Sequence, residues 1–150
     1  MHSLLGFIIS LLLVFRTNTA YDRWWEGRKQ WGALVNVSRN FSLKVLSSIP
    51  DEKVRNQLLK WTRLYPFVLK EHLRNAQYDL LDEETIGLFP KDSINADHVP
   101  NSIALKMQIL VEDSTKENFN SSNKLALLED LNRFTDICGA CERIKKTPIP

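Results

Sequence analysis

Cys138 and Cys141 stand three positions apart, with Gly139 and Ala140 between them, the spacing of a redox dithiol or of half a zinc site. A thioredoxin-type dithiol needs a strand that runs into a helix. Here Leu128, Leu131, Phe134, Cys138 and Cys141 recur at helical spacing instead. A zinc site needs about four ligands, and the histidines His2, His72 and His98 are scattered far apart along the chain. On a helix the two thiols lie one turn apart and can simply be buried, and reduced cysteines fit a cytoplasmic location. The acidic residues Asp79, Asp82, Glu83, Glu84, Asp92 and Asp97 suggest calcium, but the EF-hand pattern with its central Gly and closing Glu is missing. Asn36-Val37-Ser38, Asn40-Phe41-Ser42 and Asn120-Ser121-Ser122 match glycosylation triplets, which mean little on a cytoplasmic chain. No Gly-rich phosphate loop, nucleophile elbow, HExxH or paired catalytic carboxylate motif occurs. The expectation is no enzyme, no metal site and no cofactor.

A different chemistry stands near the start. The apolar run Leu4 to Phe15, interrupted only by Gly6 and Ser10, turns abruptly into Arg16-Thr17-Asn18-Thr19-Ala20-Tyr21-Asp22-Arg23-Trp24-Trp25-Glu26-Gly27-Arg28-Lys29-Gln30-Trp31-Gly32. Apolar side chains giving way to tryptophans interleaved with arginines is what a helix needs on leaving a bilayer. The Trp rings suit headgroup depth, and Arg and Lys favour the cytoplasmic side. Charge agrees. Residues 1–50 hold six Lys and Arg against Asp22 and Glu26, whereas residues 51–100 are net acidic and 101–150 balanced. No basic-aromatic RNA motif or long basic run is present, which argues against nucleic acid.

The apolar run is shorter than the ~20 residues that span hydrocarbon. It suits a buried helix, a signal-peptide core or the end of a membrane helix. As a signal peptide, it offers Ala20 as a cleavage point. Against that reading, Met1-His2-Ser3 carries no Lys or Arg, and Arg16 stands between core and cut. The mean hydropathy of −0.25 does not describe a whole membrane protein.

The elements that must position these residues are all helical. Gly is scarce at five residues, and no stretch alternates apolar with polar and β-branched side chains. The first helix is predicted from about Ser3 to about Leu46, with Gly27 and Gly32 as sites of close helix contact or a bend. Its second half repeats Trp31, Leu34, Phe41 and Val45. Ser48 is the expected N-cap of a second helix, whose seam is Val54, Leu58, Trp61, Tyr65 and Val68, with Pro66 expected to kink or split it. Tyr78 to Asn101 reads as a loop with a helical turn near Glu83 to Leu88. A third helix begins near Pro100 and carries Ile103, Met107, Leu110 and Val111. Asn118 to Asn123 reads as a polar turn before the last helix. Thr147-Pro148-Ile149-Pro150 reads as a break before a further helix.

The order RTNTAYDRWWEGRKQWG, with Leu5-Gly6-Phe7 before it and Cys141-Glu142-Arg143-Ile144-Lys145-Lys146-Thr147-Pro148-Ile149-Pro150 at the end, resembles the bestrophin family, nearest to its bacterial and plastid-type branch. The resemblance implies an all-α membrane-channel subunit fragment. Residues 1–15 would be the cytosolic-side end of a pore-lining transmembrane helix, 16–147 a cytosolic helical region, and 148–150 the start of the next membrane helix. It implies one and a half hydrophobic segments before Met1 and two after Pro150, with the family's calcium-binding cluster of animal members also beyond Pro150. The partners implied are further copies in a homopentamer, the lipid bilayer and small inorganic ions. The location implied is the bacterial inner membrane as a multi-pass protein, with most of this stretch cytoplasmic. The activity implied is passive conduction of small anions, chloride above all. A cation-conducting bacterial homologue and a soluble or exported helical interaction module with a cleaved signal are the alternatives.

Site residues follow from the same resemblance. Phe7, and Ser3 one turn before it, occupy the place of the family's hydrophobic pore neck, although a bulkier apolar residue usually stands at the position of Ser3. The other reading of Phe7 is a lipid-facing or core residue. Leu131 falls near the family's cytosolic constriction, or else is a core leucine. Arg16, Arg23, Trp24, Trp25 and Arg28 would anchor the interface and line a basic vestibule, or else pair with Asp22 and Glu26 and stack on the rings.

Overall fold

The computed structural model describes residues 2–75, 96–115 and 120–147. These form four helices: α1 (His2–Ser48), α2 (Glu52–Arg74), α3 (Val99–Ser114) and α4 (Ser121–Lys146). No strand occurs among the described residues, as the missing period-two pattern predicts. The helical turn expected near Glu83 to Leu88 and Pro148 to Pro150 lie outside the described residues, as do the first two residues of the polar turn at 118–123. Its last residues, Ser121 to Asn123, already belong to α4.

α1 runs unbroken for 47 residues, about 70 Å at 1.5 Å per residue. Its two halves meet different surroundings. From Leu34 onward Leu34, Val37, Phe41 and Val45 are buried, followed by Ile49 in the turn. This three-four spacing is one face of a helix. α4 lies along that face, α2 packs against α1 from the far side of the turn, and α3 closes the bundle by touching both α2 and α4. The core is aromatic at its centre. Phe134 of α4 takes the edge of Phe41 at 6.0 Å and of Tyr65 at 4.9 Å between ring centroids. The Tyr65 hydroxyl donates to the Phe134 carbonyl oxygen at 3.2 Å, so its buried polar tip is satisfied.

Three local expectations are corrected. The N-cap of α2 is Asp51, whose carboxylate accepts from the Lys53 and Val54 amides, while Ser48 ends α1. A carboxylate two residues before the first free amides reaches them; a serine three residues earlier does not. α2 passes unbroken through Pro66. The neighbours Leu64, Tyr65, Val68 and Leu69 are all buried, and their burial, about 1.5–3 kcal/mol for each large side chain, outweighs one lost backbone hydrogen bond. Gly27 and Gly32 make no close approach within the chain, since a Cβ at either would meet nothing within 4 Å.

Candidate functional site

The first half of α1 is bare. Every large apolar side chain from Leu4 to Phe15 is exposed, with Phe7 at 66%. From Ser3 on, α1 is the one described helix long and apolar enough to cross a membrane. Three of its hydroxyls bond back to carbonyls of their own helix. Ser10 donates to the Gly6 carbonyl at 2.8 Å, Thr17 to Leu13 at 2.8 Å and Thr19 to Phe15 at 3.0 Å. Ser3, Ser10 and Thr17 recur every seven residues. At 3.6 residues per turn that spacing drifts only ~20° per step, so the three share one stripe with Phe7 and Val14. The rest of the run, including Leu4, Leu5, Ile8, Ile9, Leu12 and Leu13, covers the other sides.

Below this stripe the aromatic belt is built by local stacking. Tyr21 and Trp24 lie 5.8 Å apart and Trp24 and Trp25 6.2 Å apart between ring centroids. The Arg28 guanidinium sits 5.7 Å from the Trp24 ring centre, and the Lys29 ammonium 6.0 Å from that of Trp25. Both are cation–π distances. Arg16 is exposed one turn above Ala20.

Arg23 has a distinct place. Its guanidinium donates to the carbonyl oxygens of Ile144 and Thr147, where α4 ends and its last carbonyls lack helical partners. Beside it Arg143 of α4 reaches Glu26 of α1 at 3.2 Å. The belt therefore fastens the apolar end of α1 to the C-terminus of α4. Both segments were singled out in the sequence, but their mutual contact has no signature in either alone.

Leu131 does not stand at an opening. It is only 3% exposed and belongs to the common core. Within this chain Leu131 therefore has the surroundings of the core reading. On α4 the exposed leucine is Leu125.

The cysteines behave as the helical spacing predicts. Cys138 and Cys141 are free thiols, both buried. Burial first, then the negative charge of Glu142, pushes the Cys138 thiol up to about 12 and raises Cys141 as well.

Two of the histidines come together in space. His72, in the last turn of α2, and His98, the N-cap of α3, are distant in sequence but adjacent in space, their ring centroids 4.4 Å apart. Both point Nε2 at one oxygen of Glu142 on α4, at 2.6 Å from His72 and 2.9 Å from His98. The hydrogen bond from His72 is the chief influence holding the Glu142 carboxyl below its ordinary range; burial opposes it, and His98 adds to the lowering. Sequence separation hid this cluster, because no local spacing joins residues on three helices.

A profile of the family described as Bacterial/Fungal Bestrophin protein matches residues 1–150. A voltage-dependent anion channel-forming protein of Synechocystis sp. is 37% identical over 153 residues, covering 95% of this chain and 49% of that protein. The chloroplastic voltage-dependent chloride channel 2 of Arabidopsis thaliana is 28% identical over 152 residues, covering 95% of this chain and 35% of that one. Among solved structures, a bacterial bestrophin homolog from Klebsiella pneumoniae superposes with a TM-score of 0.86 at 23% identity, over 99% of this chain and 56% of that one. The chain spans about half the length of curated relatives such as the Synechocystis protein. With residues 1–150 matched end to end, and with an exposed apolar helix fastened to a helical bundle, the chain belongs to the bestrophin family.

Proposed function

We propose that this chain supplies the pore-helix end and the cytosolic helical region of a channel subunit that conducts small anions, chloride foremost. In this reading residues 1–15 are the cytosolic-side end of the pore helix, 16–147 the cytosolic region and 148–150 the entry to the next membrane helix. Further copies assemble around an axis as a homopentamer in the bacterial inner membrane.

The observation that carries the reading is the stripe of Ser3, Phe7, Ser10, Val14 and Thr17 on a helix otherwise covered by Leu, Ile and Phe. A helix surrounded by lipid gains nothing from hydroxyls gathered on one side. A helix whose one side faces an aqueous path does, and Phe7 on that side gives the path an apolar neck that gates by dewetting. The relatives named as anion and chloride channels favour the choice of ion. The basic belt from Arg16 to Lys29 is of the sign that raises local anion concentration. Its members divide the work: Trp24, Trp25 and Arg28 anchor the interface through their stacking, Arg23 anchors α4, and Arg16 is the vestibule cation. No catalytic step belongs to this reading.

The test is the full-length protein in planar bilayers under a KCl gradient. Currents should reverse toward the chloride equilibrium potential, and Phe7→Ala should raise the conductance several-fold. Reversal toward potassium would select the cation-conducting alternative. No current at any salt would sink the channel reading.

A further inference from the structure

We infer that His72, His98 and Glu142 form a binding site for a divalent transition metal of the zinc class, at the junction of α2, α3 and α4. The inference stands apart from ion conduction and needs none.

The geometry comes first. One nitrogen from each ring and one carboxylate oxygen all lie within 4.8 Å of one another. Zinc bonds nitrogen at ~2.0–2.1 Å and carboxylate oxygen at ~2.0–2.2 Å, so tetrahedral ligand atoms sit roughly 3.3 Å apart. The two His–Glu separations, 2.6 and 2.9 Å, need to open by roughly 0.7 and 0.4 Å, which side-chain rotation supplies. Each ring starts from a different helix, so the three ligands converge without straining any one backbone.

The donor set decides the metal class. Two imidazoles and one carboxylate suit zinc, cobalt, nickel or copper. Calcium and magnesium require a shell of oxygens. The side chains of His72, His98 and Glu142 are 23%, 32% and 23% exposed. An ion can therefore reach the site from water and keep a water in the fourth position, as three-ligand zinc sites do.

The second shell adds a specific consequence. His98 Nδ1 accepts the Asn101 amide at 3.3 Å as the N-cap of α3, which fixes the proton of the neutral ring on Nε2, where it donates to Glu142. A metal on Nε2 takes that position, so the ring proton moves to Nδ1, which then no longer accepts from Asn101. Metal binding and the cap of α3 are mutually exclusive for this ring. Loading should therefore loosen the Asn101 amide while tying His98 to α2 and α4.

The experiment uses the full-length protein in detergent, free of any affinity tag, titrated with zinc chloride and, separately, cobalt chloride. One zinc per subunit should bind saturably. Cobalt should give the intense visible absorption of a four-coordinate nitrogen–oxygen site, and exchange at the Asn101 amide should quicken on loading. His72→Ala and His98→Ala should each weaken zinc binding at least tenfold. Glu142→Gln, which keeps the shape and an acceptor oxygen, guards against a folding defect and should also weaken it. Absence of saturable binding by the wild type, a pale six-coordinate cobalt spectrum, or undiminished affinity in folded variants would each overturn the assignment.

Discussion

Lys44 on α1 holds its ammonium 2.8 Å from Oδ2 of Asp130 on α4, and the Asp130 side chain is only 3% exposed. The same ammonium also donates to the Ala126 carbonyl oxygen at 3.1 Å, so Lys44 ties α1 to α4 through both a charge and a backbone acceptor. A charge buried between two helices with a single half-exposed counter-ion is held in place by the rest of the bundle, chiefly the Phe41–Phe134 contact one turn away on each helix.

Removing the ammonium should therefore hurt more than removing the pair. Lys44→Met is expected to destabilise by about 2 kcal/mol, below the usual 3–5 for a fully buried pair because Lys44 is partly solvated. Adding Asp130→Leu should recover most of that loss. Denaturant unfolding of the two variants checks the order.

Arg23→Ala should leave the last carbonyls of α4 without their donors. The expected cost is about 1–2 kcal/mol, the range of a charged hydrogen bond at a helix end. Hydrogen exchange should quicken at the end of α4 and leave the Phe41–Tyr65–Phe134 core protected. Arg23→Lys should restore part of the protection, since an ammonium reaches one carbonyl at a time.

Cys138 should resist alkylation. With its thiol near 12 because of burial, only about one molecule in ten thousand carries the thiolate at pH 8. In the folded protein both thiols should react slowly with iodoacetamide, and both should react promptly in guanidinium. Fast labelling of Cys138 in the native state would contradict its burial.

Glu142 links stability to pH in one direction. Its carboxyl is lowered in the folded protein, so it contributes stability that is fully present above its ordinary value of 4.5 and lost as pH falls through the folded one. Melting temperatures of wild type and Glu142→Gln should differ at pH 6 and draw together as the pH falls below 4.5 and through the lowered folded value. A constant gap across that window would mean the hydrogen bonds from His72 and His98 do not favour the charged form.

Periodicity made the helices legible. The seams of α1, α2 and α4 were readable because Leu34, Phe41, Val45, Tyr65, Val68, Phe134 and Cys138 fall on single faces and are buried there. Pro66 misled because the rule for proline is local, while the burial that keeps α2 whole comes from other helices. For Leu131, a register counted along the chain says which turn a residue occupies, not which side of α4 meets Phe41. The pairing of His72, His98 and Glu142 was invisible for a plainer reason. Three helix ends had to meet before any spacing existed between them.

An unbroken α1 is also a lever. About 24 Å of helix separates Arg23, where the end of α4 holds it, from Phe7 at the far end. A swing of 5° about that grip displaces Phe7 sideways by roughly 2 Å. A small rotation at the Arg23 contact is thereby magnified along the bare half of the helix.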